Sequence, residues 1–309
     1  MGSSIGPADL AACARLLRAG SKSFSTASLL LPGRVRAQAT VVYAFCRVAD
    51  DVIDSEPGTT AVAVEGLRAR LARIYAATPD DDPVDRALAA VVVDAGVPRE
   101  LFEALLEGFA WDVEDRHYET LDEVYAYAAR VAGAVGAIMT VLMGRREPSV
   151  LARACDLGVA MQLTNIARDV GEDAGRGRLY LPRAWLREAG VDPEAWLAAP
   201  APTAPMRSIV ARLLDAADVL YRRADRGVAA LPADCRVAIR AARLIYSDIG
   251  RSIAAAGYDS ITRRAVVPKG RKLWLLLRAL RPRRARPADA AGPPLDAVVF
   301  LVGACRSAS

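Results

Sequence analysis

In the stretch "YAFCRVADDVID", residues 43–54, Asp50, Asp51 and Asp54 crowd into an otherwise apolar run, with Arg47 as the nearest counter-charge. On a helix Asp50 and Asp54 stand at i and i+4 and share a face, whereas Asp51 is turned away by about 100°. Two like charges on one face repel, and burying them among Val48, Ala49, Val52 and Ile53 costs more. A hard cation relieves both problems: magnesium takes oxygen ligands and is commonly held by one or two carboxylates together with substrate phosphates. The competing reading is a solvated acidic face without function, since short motifs of this kind recur by chance.

A second cluster raises the weight of the first. In "QLTNIARDVGED", residues 162–173, Asn165, Asp169 and Asp173 recur every four residues, so an amide oxygen and two carboxylates line one helical face, with Arg168 adjacent and Gln162 a turn earlier. Two such faces across a cavity can hold metal ions that bridge an anionic ligand, and a diphosphate is the natural candidate. Donors for it lie beside both faces: Ser21, Lys22 and Ser23 of "GSKSFS", Arg47, Arg168, and Arg178 and Tyr180 of "GRGRLYLP". Arginine suits phosphate through its planar fork of donors. Taken singly, each of these residues is as readily a surface ion pair or a helix cap.

The elements that must position these groups are helical. Hydrophobic residues make up 53% of the 309 and aromatics only 6%, with Ala, Leu, Val and Arg prominent, which favours helices over strands. Helical periodicity runs through 8–19, 33–54, 60–77, 83–94, 98–115, 121–143, 148–173, 183–190, 204–230, 233–256 and 270–280, with no convincing strand alternation. Breakers separate them, among them "TPDDDP" at 78–83, where Asp80 to Pro83 reads as a turn and N-cap. No break is long enough to link two independent cores, and no short repeat is present, so one all-α domain over 1–280 is expected. Residues 281–309 read as a basic, Pro-rich tail, partly disordered or loosely docked, ending in the apolar run "AVVFLVGAC".

Other chemistries are poorly supplied. His117 is the single histidine, which removes Ser-His-Asp, Cys-His and His-rich metal sites unless that residue alone serves; a surface or structural role fits it better. The five cysteines are scattered and form no CxxC pair, so neither a disulfide framework nor a thiolate zinc site is expected, and a reducing cytosol fits. "MGSSIGPADL" does not read as a signal peptide, and the longest weakly polar runs, "VAGAVGAIMTVLMG" and "AVVFLVGAC", fall short of the roughly 20 residues that span a bilayer. The formal charge of +5 is a near balance of 41 basic and 36 acidic residues, but bases crowd the C-terminal part from Arg263 to Arg286. No nucleic-acid module accompanies them, so nucleic acid is not an expected partner. "KGRKLWLLLRAL" alternates bases with Leu and Trp at helical spacing and suits a membrane surface; the competing reading packs Trp274 and its leucines on the domain.

The stretches "SKSFSTASLLLP", "YAFCRVADDVID", "LTNIARDVGEDAGRGRLYLP" and "IYSDIGRSIAAAGYDSITRRA", in that order and spacing, resemble the bacterial phytoene synthases of the squalene and phytoene synthase family, over about residues 10–280. The resemblance implies an isoprenoid synthase fold, with helices around a central cavity. It also implies head-to-head condensation of two geranylgeranyl diphosphates, through a cyclopropyl diphosphate, to 15-cis-phytoene, the first committed step of carotenoid synthesis. Carried over residue by residue, it implies metal ligands at Asp50, Asp54, Asn165, Asp169 and Asp173, with those four aspartates and Arg47 catalytic. Ser21, Lys22, Ser23, Tyr43, Arg47, Gln162, Asn165, Arg168, Arg178 and Tyr246 would bind substrate. Two or three magnesium or manganese ions and no NADPH are implied; a cytoplasmic location is expected, with peripheral contact with the inner membrane and contact with other carotenoid enzymes as open alternatives to a freely dissolved enzyme.

One departure stands out. Many relatives carry a tyrosine two positions before "VAG", but "YAYAARVAG" has Ala129 there, with Tyr127 displaced along the helix. If that hydroxyl accepts a proton or steadies a cation, another group or the released diphosphate must do so here. The small residues Gly133, Ala134, Gly136 and Ala137 suit either a tunnel wall for prenyl chains or close helix packing. The rival functions are condensation of farnesyl diphosphate to a squalene or dehydrosqualene-type C30 product, which chain-blind aspartates would equally serve, and a non-catalytic family relative. A terpene cyclase fits less well, because its second metal motif is an Asn-Ser/Thr-Glu pattern.

Overall fold

The computed structural model describes residues 5–20, 27–55, 60–281 and 292–307, apart from the side chains of residues 54, 55, 60, 61 and 307. Thirteen helices are used below: α1 (Pro7–Gly20), α2 (Gly33–Ser55), α3 (Thr60–Tyr75), α4 (Pro83–Ala95), α5 (Arg99–Val113), α6 (Leu121–Leu142), α7 (Pro148–Ala174), α8 (Arg183–Glu188), α9 (Pro193–Ala198), α10 (Ala204–Gly227), α11 (Ala233–Ala255), α12 (Lys269–Ala279) and α13 (Val299–Ser307). Among the described residues there is no strand.

Local sequence starts and stops these helices. Asp82 caps α4, its carboxylate accepting from the amides of Val84 (2.9 Å) and Asp85 (3.3 Å), with Pro83 opening the helix and Gly96 closing it at φ +59°. Thr120 and Glu123 form a reciprocal capping box on α6. Helix α9 escaped the periodicity reading because six residues hold less than two turns; Asp192 caps it by accepting from the Ala195 amide at 2.7 Å. Two continuous patterns are interrupted: α6 widens to a π-helical turn over Ala129–Gly133, and α10 stops at Gly227 before a 3₁₀ turn, Val228–Ala230.

Helix α7 is the spine, packed against α6, α10, α11 and α13, while α2 sits among α1, α3 and α4. One hydrophobic core runs from Cys13 to Cys305. Helices α6 and α7 touch backbone to backbone: a Cβ at Gly158 would fall 2.2 Å from the Ala132 carbonyl oxygen, and one at Gly136 would fall 2.4 Å from that of Ala154. Helix α6 is the one described helix long and apolar enough to cross a membrane by composition, and most of it is buried against its neighbours. Beyond residue 280, the part described from 292 onward is firmly seated. Val298, Leu301, Val302 and Cys305 are buried, and Arg153 and Arg223 donate to the Pro293 carbonyl at 3.0 and 2.8 Å. Apolar side chains at helical spacing pack α13 against α5 and α7.

Candidate active site

The C-terminal half of α7 presents Gln162, Asn165, Asp169 and Asp173 in succession. Asn165 Nδ2 donates to Gln162 Oε1 at 3.3 Å. The Asp169 carboxylate accepts from Arg168 Nε at 2.8 Å and from Arg264 Nε at 2.7 Å, and Arg264 Nε also lies 2.8 Å from Glu172 Oε2. Burial alone would raise the Asp169 pKa, but the two guanidiniums outweigh it and hold the carboxyl below its ordinary range. Asp173, one turn on, is pushed up to about 7 by burial and by the Asp169 charge, with Arg176 and Arg178 offsetting only part.

Arg264 arrives from the chain after α11. Asp259 accepts from the amides of Ile261 (3.1 Å) and Thr262 (3.0 Å) and from the Thr262 hydroxyl (2.7 Å), folding the segment into a turn. That turn lies flat on α7, with the Gly171 amide donating to the Ser260 carbonyl at 3.0 Å. A Cβ at Gly171 would come within 2.4 Å of the Ile261 carbonyl oxygen, so only glycine permits the approach that brings Arg264 to Asp169.

From this acidic face an apolar cavity of about 300 Å³ runs between α6, α7, α10 and α11. Val131, Ala132, Val135, Met139, Met161 and Leu157 are among its walls; Gln162, Asn165 and Tyr246 form a polar end, and Arg153 another. Of the four small residues singled out in α6, only Gly136 lines it; Gly133, Ala134 and Ala137 serve close packing instead, because they face away toward neighbouring helices. The Thr140 hydroxyl in the wall is satisfied internally, donating to the Gly136 carbonyl at 2.9 Å, so the lining offers hydrocarbon little to desolvate.

On α2, Arg47 NH1 donates to Asp50 at 3.1 Å and its Nε to Asp51 at 3.1 Å, so the guanidinium straddles the two acids. Tyr43, from the same helix, and Tyr246, from α11, lie within electrostatic reach of each other, and Arg168 lies within reach of Tyr246; burial raises both phenol pKa values. The two acidic faces are linked through Asp112 on α5. Its carboxylate accepts from the hydroxyls of Tyr180 (2.7 Å) and Tyr127 (3.0 Å) and feels the charges of Arg178 and Asp50. Burial pushes this carboxyl up to about 6 in spite of the two tyrosine hydrogen bonds. The rings of Tyr127 and Tyr180 stack with centroids 5.1 Å apart, and Tyr118 packs on both.

Of the residues the sequence singled out, Gln162, Asn165 and Tyr246 line the cavity, Arg168, Asp169 and Asp173 follow along α7, Arg178 and Asp50 lie within electrostatic reach of Asp112, and Tyr43, beside Arg47, lies within reach of Tyr246. Ser21, Lys22 and Ser23 lie outside the described residues, as does the side chain of Asp54. His117 is at the surface, 3.7 Å from Asp115, and the five cysteines are all free. Two groups escaped notice. Asp112 sits in "GFAWDVED", where the following acids disguise it as a solvated helix end; its one signal is a carboxylate directly after a run of core residues. Arg264 was submerged in the basic C-terminal run, and nothing local distinguishes it from Arg263.

Among the described residues no three carboxylate, thiol or imidazole groups converge tightly enough to chelate an ion by themselves. The donors on offer are carboxylate and amide oxygens, which match a hard divalent cation and not zinc. The crowding of Asp169 and Asp173, which raises the latter's pKa, is what such a cation would relieve.

Residues 17–271 match the squalene/phytoene synthase family. A phytoene synthase of Rhodobacter capsulatus is 58% identical over 88% of this chain and 81% of its own length. A 15-cis-phytoene synthase of a Paracoccus species is 45% identical over 83% of this chain and 86% of its own. Among solved structures, a dehydrosqualene synthase in complex with ligand superposes with a TM-score of 0.80 at 31% identity, covering 88% of this chain and 95% of its own.

Proposed function

The chain belongs to the squalene/phytoene synthase family, and we propose that within it the protein is a 15-cis-phytoene synthase. Its substrates are two molecules of geranylgeranyl diphosphate, joined head to head. The observation that carries this reading is the continuity of one helix: α7 walls an apolar cavity with Leu157, Gly158 and Met161 and carries Asn165 at its polar end, one turn from Asp169. A prenyl diphosphate has that polarity, a hydrocarbon chain ending in a multiply charged head.

In this reading the first C–O bond breaks and diphosphate leaves with the bonding pair. Arg168, Arg264, Arg47 and Arg178 face the charge that develops, which is preorganised electrostatic stabilisation in a site poor in water. Asp50, Asp54, Asn165, Asp169 and Asp173 would hold magnesium or manganese, which supplies Lewis-acid neutralisation of the departing diphosphate. The allylic cation is attacked by the second chain's double bond, forming the new C–C bond, and proton loss closes a cyclopropane. Loss of the second diphosphate, rearrangement and a final proton loss give the C40 product, with no reductant consumed. The apolar cavity lining keeps water from the cations.

With Ala129 in place of a tyrosine and buried at the π-helical turn, no hydroxyl is available at that position. The Tyr127 hydroxyl is committed to Asp112, which makes it a positioning group, and the released diphosphate held by the arginines takes the proton. The catalytic unit is residues 1–280, with the segment 281–309 appended to it, in a cytoplasmic enzyme with peripheral membrane contact.

Purified protein with magnesium and geranylgeranyl diphosphate, and separately with farnesyl diphosphate, tests the reading by chromatography and mass spectrometry of the hydrocarbon. Phytoene that disappears in Asp50→Asn and Asp169→Asn is the expected result. A C30 hydrocarbon from farnesyl diphosphate, with nothing from the longer substrate, would overturn the substrate assignment; no product from either would favour a non-catalytic relative.

A further inference from the structure

Helix α12 is amphipathic with its apolar stripe on the outside. Leu275 and Ala279 are buried against α11, yet Leu273, Trp274, Leu277 and Leu280 are 60%, 47%, 58% and 57% exposed. Positions 273, 277 and 280 follow i, i+4, i+7 and form one outward ridge with Trp274 at its flank. Packing on the domain thus holds for Leu275 and partly for Leu276, but not for Leu273, Trp274, Leu277 or Leu280. The indole is held in place: Arg271 lies 4.4 Å and Arg278 5.4 Å from its ring centre, and Arg271 is itself fixed to Asp248 at 2.8 Å.

Bases surround the ridge. A groove of about 500 Å³ beside it is lined by Trp274, Leu277, Arg240, Arg243, Arg278 and Arg281 among others, and its one acid, Asp225, is engaged by Arg243 at 2.9 Å. Among the described residues Lys269, Arg240, Arg278 and Arg281 have no carboxylate within ion-pair distance. In sequence the next residues are "PRRARP", with Arg283, Arg284 and Arg286, which lie outside the described residues. A second copy of this face would bring like charges together, so self-association is opposed. An apolar ridge ringed by bases instead matches a surface with acidic headgroups over hydrocarbon.

We propose that the outward face of α12 docks on an anionic lipid bilayer, with Leu273, Trp274, Leu277 and Leu280 in the acyl boundary and Lys269, Arg278 and Arg281 on the headgroup phosphates. The placement bears on product release. Val228 lines both the apolar cavity and the groove at α12, so the cavity and the docked face adjoin at this residue. That consequence rests on the synthase reading, in which the product is a water-insoluble hydrocarbon; docking itself does not.

Intrinsic fluorescence offers a selective probe, because Trp111, Trp185 and Trp196 are buried and Trp274 alone is exposed. The full chain without substrate is mixed with vesicles of phosphatidylcholine, or of phosphatidylcholine with about 30% phosphatidylglycerol, each with and without brominated acyl chains. The expected result is a blue shift and bromine quenching on anionic vesicles only, weakened about tenfold by ~0.5 M salt. Trp274→Phe removes the signal but keeps co-sedimentation. Leu273→Asp/Leu277→Asp/Leu280→Asp, and independently Arg278→Glu/Arg281→Glu, lower co-sedimentation at least about tenfold while turnover of detergent-dispersed substrate stays within about twofold. Equal binding to neutral vesicles, co-sedimentation untouched by both sets of substitutions, or a lipid-independent dimer that hides Trp274 would each overturn the proposal. Binding is read without substrate, so its failure leaves the synthase assay standing, and the reverse.

Discussion

Helices α2 and α7 carry aspartates at the same i, i+4 spacing in different surroundings. On α2, the side chain of Asp50 is 47% exposed and shares Arg47 with Asp51 on its own helix, an arrangement that water screens. On α7, Asp169 is 16% exposed and is gripped by Arg168 and by Arg264 from a distant segment, while Asp173 beside it is left short of counter-charge. Identical spacing thus yields one adaptable face and one preorganised and electrostatically strained face. The second lies at the apolar cavity, where a fixed field acts on a desolvated charge.

The largest expected effect tests whether both faces act. Asp169→Asn and Asp50→Asn should each lower kcat for phytoene formation by about 10³-fold, measured by steady-state assay. If Asp50→Asn costs no more than a surface substitution, the two faces do not form one clamp. Next, Gly171→Ala should displace the turn at Ile261, move Arg264 off Asp169, and lower kcat by roughly tenfold with about 1–3 kcal/mol of lost stability, read by denaturant unfolding. On α2 the arginine that meets Asp50 and Asp51 comes from the same helix.

The strain on Asp173 is visible as pH dependence. Its folded pKa of about 7 lies above the ordinary 3.8, so the unfolded chain ionises first and the metal-free native state loses stability as pH rises from about 4 to 7. The loss is on the order of 3 kcal/mol. Asp173→Asn should therefore raise the Tm of the EDTA-treated protein at pH 8 by about 2–5 °C, with the difference vanishing toward pH 4, while activity is lost. Added magnesium should stabilise the wild type more than this variant. The smallest effect is expected at Asp51→Asn, within about twofold of wild-type kcat/KM, because that carboxylate is half exposed and turned from the shared face.

The helical plan was legible because apolar spacing, caps and breakers act within a few residues: Asp82, Pro83 and Gly96 delimit α4 by chemistry readable in the string. The oxygen-rich faces were legible for the same reason, as properties of single helices. Asp112 was not, because its meaning depends on Tyr127 and Tyr180, which lie 15 and 68 residues away. Nor was the side of α12 that stays bare, since Leu273 and Leu275 are the same residue type and only the position of α11 tells them apart.

The sequence by itself determined an all-helical chain with two acidic faces and the family to which it belongs. Those follow from a repeat of 3.6 residues and from motifs confined to one helix each. The tertiary structure alone decided that Arg264 grips Asp169 from 95 residues away, that Asp112 stands between the faces, and that the apolar cavity ends at Asn165. The reason is physical: pKa values and cavities arise from burial and from charges brought together through space, and neither is a property of neighbours along the chain.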